Sequence, residues 1–158
     1  MDPIIALSLV LALVAGATGL GLLWRARQGR AAVVAPGAPD APGTPLTPAD
    51  VASPVPFGAN GTLVQFSTDH CARCPGTHAL LAGLAGQRPG VAHVDVDLTH
   101  RRDLANRFGI LQTPTTLVLD GTGRVRARIG GVPNRADLLQ QLDHLTGSTH
   151  DQLTHHAR

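Results

Sequence analysis

The sequence of 158 residues contains very few aromatic side chains, with three Phe, one Trp and no Tyr. Proteins that bind single-stranded nucleic acids stack the bases on such side chains. The charge is also nearly balanced, since 13 Lys and Arg stand against 11 Asp and Glu, and the cations are dispersed along the chain. A strong basic field that attracts a polyanion is therefore missing. These two deficits argue against nucleic acid as a partner.

Cysteine is equally scarce, because the chain has only two, Cys71 and Cys74, with two residues between them. A framework of stabilising disulfides needs more cysteines that are spread along the chain, so that class of small protein is excluded. The pair requires a local explanation, which is either thiol chemistry or metal binding.

The first part of the chain lacks charge. No charged side chain occurs from Pro3 to Trp24, and most of these positions are Leu, Ile, Val, Ala or Gly. As a helix, this length spans about 30 Å of hydrocarbon. We predict a transmembrane anchor over residues 1–25, with residues 4–24 in the membrane. A cleaved signal peptide is the alternative, but it would carry positive charge before the apolar run, where this chain has Asp2.

Three arginines, Arg25, Arg27 and Arg30, follow the apolar run. Lys and Arg beside a span favour the cytoplasmic side, so the sequence predicts a single-pass protein of the cell membrane whose remainder faces the cytoplasm. An extracytoplasmic position stays open as the alternative. Residues 26–56 are rich in Ala, Pro and Gly and are predicted to be a linker, with one short helical turn near Thr47. Residues 147–158 are predicted to be a disordered tail that contains histidines.

Between residues 57 and 146 the pattern is that of one α/β domain. Strands are predicted over 62–67, 91–97, 115–119 and 124–129, and helical spacing of apolar residues follows the first, second and fourth of them. The order strand, helix, strand implies a parallel crossover, and the loop over 120–123 predicts an antiparallel hairpin. The sequence therefore predicts a four-stranded mixed sheet with helices on both faces.

The two cysteines follow a buried strand and open a helix. Unpaired backbone N–H groups and the helix dipole at this place favour a thiolate, and His70 and Arg73 add positive charge. We therefore expect the pKa of the Cys71 thiol to lie below the ordinary value of about 8.5, which makes Cys71 the predicted nucleophile. Cys74 lies one helical turn later and is the predicted resolving thiol, which attacks the mixed disulfide.

Three segments, Leu63-Val64-Gln65-Phe66, Cys71-Ala72-Arg73-Cys74 and Thr113-Pro114-Thr115, resemble the thioredoxin family. The resemblance covers residues 62–146 and implies a thioredoxin-like fold and a thiol–disulfide oxidoreductase that needs no bound cofactor. It implies protein thiol or disulfide clients and an electron donor, which the sequence does not identify. It also implies that Pro114 is a cis proline that lies against the cysteines and contacts substrate, and that Thr113 beside it binds substrate. Exported members of the family also allow a role in cytochrome maturation.

The sequence departs from the family in three places. The buried acid that the family has six positions before the first cysteine is here Gln65, and an amide cannot accept a proton. Deprotonation of Cys74 then relies on water or another group, for which His93 and Asp69 are the candidates. The family's first strand and helix are absent or reduced to the turn near Thr47. His70 stands where the family has Trp, which alters the surface offered to substrates, so the clients of thioredoxin itself cannot be assigned to this protein.

A metal-binding module with a thioredoxin fold is the alternative. Cys71, Cys74 and His78, with His70 adjacent, supply donors that suit zinc or copper. A closed zinc site needs a fourth ligand, and the chain has no further cysteine. We therefore predict redox exchange and no metal site, either here or in the histidines of the tail.

Overall fold

The structure is a computed structural model that describes residues 3–27, 32–33 and 45–155. The helices are α1 (Pro3–Arg27), a 3-10 helix (Pro48–Val51), α2 (Cys74–Gly86), α3 (Arg102–Arg107) and α4 (Arg135–His155). The strands are β1 (Ala32–Val33), β2 (Gly61–Ser67), β3 (Val91–Asp97), β4 (Thr115–Asp120) and β5 (Val125–Gly130). The predicted tail over 147–158 begins inside α4, which continues to His155, and residues 156–158 lie outside the described residues.

Helix α1 has 25 residues, and its Ile, Leu and Val side chains that the structure describes are largely exposed. Among the residues open to description, no helix combines the length and the apolar character needed to cross a membrane. The structure therefore does not show the predicted anchor over residues 1–25.

The strands form one mixed sheet in the order β1-β5-β4-β2-β3. Strands β2 and β3 are parallel and joined by α2, whereas β4 is antiparallel to both β2 and β5. The predicted four-stranded mixed sheet is confirmed. The two-residue β1, which lies in the predicted linker, adds a short antiparallel pairing to the edge of β5. A strand of two residues is too short to show an apolar period, which explains why the sequence did not indicate it.

Helices cover both faces of the sheet because the β2 side chains alternate between the faces. Val64 and Phe66 point to the face of α3, where they pack with Leu104 and Phe108. Leu63 points to the opposite face, in an apolar cluster that includes Leu81 and Leu84 of α2 and Leu138 and Leu142 of α4. Gln65 and Ser67 follow Leu63 on that second face, so the polar end of the face lies at the start of α2.

Part of the predicted linker packs on the domain. The Leu46 N–H donates to the Gly123 carbonyl oxygen at 2.8 Å, and Val51 is buried in the cluster on the α3 face. The hydroxyl and the N–H of Thr47 donate to the Asp50 carboxylate at 2.6 and 2.8 Å. These bonds, with the Arg107 guanidinium, lower the pKa of Asp50 to about 2. The predicted helical turn near Thr47 is therefore present and is tied to α3.

Candidate active site

The cysteines lie where β2 passes into α2. After Ser67 the chain turns tightly, with the Cys71 N–H donating to the Thr68 carbonyl and the Cys74 N–H to the Cys71 carbonyl, both at 3.1 Å. Helix α2 begins at Cys74, so Pro75 lies in its first turn, where the missing N–H of proline costs no helical hydrogen bond. Cys71 therefore lies one turn before the helix, at the positive end of the helix dipole.

Cys71 and Cys74 form a disulfide, with their Cα atoms 5.4 Å apart. The two sulfurs differ in access, because Cys74 is only 5% exposed whereas Cys71 is partly exposed. An incoming thiolate reaches Cys71 more easily. This difference favours the predicted division into nucleophile and resolving thiol. His70 and Arg73, predicted to tune the thiol, are both exposed beside the pair.

The proline loop lies next to the cysteine loop. The Thr113–Pro114 peptide bond is cis, as the resemblance implies, and the Thr113 hydroxyl lies 3.3 Å from the Thr68 hydroxyl, three residues before Cys71. The Pro114 carbonyl accepts the Gly131 N–H at 2.8 Å, which ties the loop to the end of β5. The structure thus brings Thr113 to the side of the cysteine loop, while a substrate contact of Pro114 stays a prediction.

Gln65 is fully buried beneath the start of α2. Its Nε2 donates to the Cys74 carbonyl oxygen at 3.2 Å, and its Oε1 has no hydrogen-bond partner among the described residues. The amide therefore holds the first residue of the helix against β2. It carries no charge and takes no proton, so this position does not serve as a base for Cys74.

An open cavity of about 490 Å³ adjoins the disulfide. Its lining includes both cysteines, Pro75, His78 and a series of polar residues, which are Ser67, Thr68, Asp69, Asp95 and Asp97. The Ser67 hydroxyl donates to the Asp95 carboxylate at 2.6 Å. Carboxylate, imidazole and disulfide groups thus surround the same cavity.

His93 lies behind this cavity, on β3. Its ring meets the His78 ring edge-on, with the ring centroids 4.8 Å apart, and its Nε2 is buried without a partner among the described residues. Burial lowers the pKa of His93, the nearby His78 lowers it further, and Asp95 opposes both effects. His78 lines the cavity whereas His93 does not, and the suggestion that His93 helps to deprotonate Cys74 stays a prediction.

Two residues of the site have no redox role in the sequence-based predictions. His78 is named there only as a ligand in the metal alternative and Asp95 is not named, yet both line the cavity beside Cys74. The signal that could have located Asp95 is the parallel pairing of β2 with β3, which sets Gln65 beside Asp95 and Leu63 beside His93. Side chains that are paired across parallel strands point to the same face of the sheet. Within the described part of the chain, no cluster of three or more His, Cys, Asp or Glu is placed to hold a metal ion.

The sequence matches the thioredoxin family over residues 47–144, which is more than half of the chain. The chain belongs to the thioredoxin family. A comparison with curated proteins found no match. The thioredoxin fold and the Cys71–Cys74 disulfide together place this protein in the general class of thiol–disulfide oxidoreductases. Thioredoxins act on the thiols and disulfides of other proteins, which gives the general class of substrate.

Solved thioredoxin structures resemble this member of the family. A mutant thioredoxin from Halobacterium salinarum is 22% identical, with a TM-score of 0.50 over 55% of this chain and 75% of that one. Thioredoxin f from spinach chloroplast is 21% identical, with a TM-score of 0.49 over 56% and 78% of the two chains. Fasciola hepatica thioredoxin is 21% identical, with a TM-score of 0.48 over 55% and 82%. The first of these supports the thioredoxin-like fold and, at this identity, nothing finer.

Proposed function

We propose that this thioredoxin-family protein is a membrane-tethered enzyme that exchanges disulfides with client proteins through Cys71 and Cys74. The observation that carries the proposal is the disulfide at the start of α2, with one accessible and one buried sulfur. The Cys71 thiolate attacks a client disulfide and forms a mixed disulfide. Cys74 then attacks the Cys71 sulfur, which releases the reduced client and closes the disulfide within the protein.

The local structure supports the first of these steps. Cys71 precedes the N-terminal turn of α2, where the positive end of the helix dipole attracts an anion. His70 and Arg73 are the two exposed residues predicted to add positive charge near the Cys71 sulfur, and Arg73 lies within the turn between the two cysteines. A thiolate is the reactive form of cysteine, so an environment that stabilises it increases the fraction that can attack at neutral pH.

Serine variants of the two cysteines test the proposal. With dithiothreitol as reductant and insulin as the disulfide substrate, Cys71→Ser should abolish turnover, because no thiolate remains to attack the client. Cys74→Ser should leave a mixed disulfide between Cys71 and the client that survives until excess thiol is added. Ala72→Ser, which adds a hydroxyl without removing a sulfur, is the matched control and should keep the activity. Equal residual activity in both cysteine variants would contradict the assigned roles.

The direction of exchange depends on the reduction potential of the pair. Equilibration against glutathione or a stronger dithiol buffer, read by thiol trapping, measures this potential. A value near about −270 mV identifies a reductase of thioredoxin type, whereas a value near about −120 mV identifies an oxidant. The first value fits a domain in the cytoplasm, and the second fits a domain outside it.

The membrane tether forms the second half of the proposal. Taken as a whole, the sequence from Pro3 to Trp24 carries no charge, including positions whose side chains the structure does not describe. The described large side chains of α1 are exposed and apolar, as a lipid-facing helix requires. Arg25, Arg27 and Arg30 follow, so the proposed orientation places the redox domain in the cytoplasm.

Labelling of the reduced cysteines tests this orientation. In intact cells treated with a membrane-permeant reductant, an impermeant maleimide should label the pair only after the membrane is permeabilised. Labelling before permeabilisation would place the domain outside the cytoplasm. The native cysteine pair is the probe, because an added cysteine such as Ser67→Cys would place a third thiol inside the site.

A further inference from the structure

The buried position of Cys74 creates a need for a proton acceptor. A thiol must lose its proton before it attacks a disulfide, and burial makes the thiolate harder to form. Cys74 is one of the buried residues, and the polar side chain beneath it, Gln65, cannot take a proton. The proton must therefore leave toward the cavity, which is the solvent-containing volume that Cys74 lines.

His78 is the residue of this cavity best suited to receive the proton. It lies four residues after Cys74 in α2, so the two side chains share one face of the helix, and both line the cavity. The other titratable groups in the lining are carboxylates, Asp69, Asp95 and Asp97. Carboxylates are ordinarily too weakly basic to hold a proton at neutral pH, whereas histidine exchanges protons in that range.

We propose that His78 accepts the proton of the Cys74 thiol, through water in the cavity, when Cys74 resolves the mixed disulfide. This inference rests on the proposed disulfide exchange and assigns the base that its second step needs. The proposed base lies on α2, whereas the family resemblance places the base at the position of Gln65 on β2.

The neighbours of His78 suit this function. His93 packs edge-on against the His78 ring and restricts its orientation. Burial keeps the pKa of His93 low, so at neutral pH it adds no second positive charge beside the imidazolium that forms on His78. Asp95 and Asp97 on β3 and Asp69 in the cysteine loop supply negative charge around the cavity. His93 therefore positions the His78 ring, and His78 is the acceptor.

The atoms and electrons of the step balance without a further reagent. The Cys74 S–H bond breaks, and its proton passes by way of water to an imidazole nitrogen of His78. The Cys74 sulfur then bonds to the Cys71 sulfur, while the bond between Cys71 and the client sulfur breaks and its electron pair leaves with the client. The client thiolate takes up the proton that His78 holds, by way of water, which returns His78 to its neutral form.

A coloured aromatic disulfide separates the two steps in stopped-flow kinetics. When the reduced full-length chain is mixed with dithiobis-nitrobenzoate, the first release of thionitrobenzoate reports the attack by Cys71 and the second reports resolution by Cys74. His78→Gln should slow the second release about tenfold or more and move its pH dependence to higher pH, with the first release unchanged. In His78→Ala, added imidazole should restore part of the lost rate.

His144→Gln is the matched control, because His144 is an exposed histidine on α4 and does not line the cavity. Both releases should keep the wild-type rates in this variant. An unchanged second release in His78→Gln, with the wild-type pH profile, would overturn the inference, and so would an equal slowing of both releases. Absence of any release from the wild-type chain would instead contradict the proposed function on which the inference rests.

Discussion

Among single residues, Gln65 most clearly sets this site apart from the family pattern. It is 0% exposed, and its side chain supports the Cys74 carbonyl. An amide stays neutral at every pH, so the structure carries no buried charge at this position. A carboxyl group placed here would lose its hydration, which raises its pKa above the ordinary value of about 3.9.

Gln65→Asp should therefore make the stability depend on pH. Below about pH 4 the new carboxyl is protonated in both the folded and the unfolded chain, so folding buries no charge. Above that pH the unfolded chain releases the proton while the folded chain retains it, so the free energy of unfolding falls as pH rises. We expect the loss to be about 1 to 2 kcal/mol larger at about pH 8 than at about pH 5 in urea denaturation.

Gln140→Glu is the control for this change. Gln140 is exposed on α4, so its carboxyl stays hydrated in the folded chain and should give the same stability difference from wild type at both pH values. If Gln65→Asp behaves like this control, the position is more hydrated than its burial indicates.

The sequence revealed single residues of the site where the chemistry is local. Cys71, Cys74 and the substitution at Gln65 could be read directly, because their meaning depends on spacing along the chain. The contribution of His78 and Asp95 could not, because it depends on the register between β2 and β3 and on the side of α2 that faces the sheet. The order of residues constrains neither feature by itself.

At the scale of elements, the four longer strands and the turn near Thr47 were predictable, whereas the short edge strand β1 was not. Short runs rich in apolar and β-branched residues indicated β2 to β5, because each strand buries one or both of its faces. The strand β1 and the 3-10 helix come from a stretch that looks like a linker, since its Ala, Pro and Gly bury little surface. The 3-10 segment nevertheless docks through the buried Val51 side chain, the backbone hydrogen bond from Leu46 to Gly123 and the ion pair of Asp50 with Arg107.

Two glycine substitutions test these elements in opposite directions. Gly83 lies within α2, and a Cβ added there meets nothing within 4 Å, so Gly83→Ala should stabilise the protein by about 0.5 to 1 kcal/mol. Gly123 has φ of +84°, and a Cβ there would lie 2.2 Å from the Leu46 carbonyl oxygen. Gly123→Ala should destabilise by about 1 to 3 kcal/mol, because the backbone is strained and the docked segment must move.

Thermal unfolding of the two variants side by side gives the measurement. The midpoint should rise for Gly83→Ala and fall for Gly123→Ala, which makes each variant the control for the general effect of adding a methyl group. A Gly123→Ala variant as stable as wild type would show that the segment around Leu46 does not pack against the hairpin between β4 and β5.

At the scale of the whole molecule, the short strand β1 bears on how far the proposed tether reaches. A free linker over residues 26–56 would have a reach of roughly 30 Å. Because β1 pairs with β5 and begins five residues after α1 ends, an extended chain would limit the span between them to about 18 Å. A redox domain held in this way would meet clients that lie close to the membrane.

The tether itself is tested by one charge in the middle of α1. Leu13 is 72% exposed on this helix, and an arginine at the centre of a membrane span costs about 2.5 to 3.5 kcal/mol. Leu13→Arg should therefore move the full-length chain from the membrane pellet to the supernatant after alkaline extraction, whereas Leu13→Ile should leave it in the pellet. Disulfide exchange per molecule should be the same in both variants, because α1 supplies no residue to the cysteine site. Release of the wild-type chain into the supernatant by alkaline extraction would contradict the proposed tether. The proposed disulfide exchange would be unaffected, since it depends on the cysteines and the cavity alone.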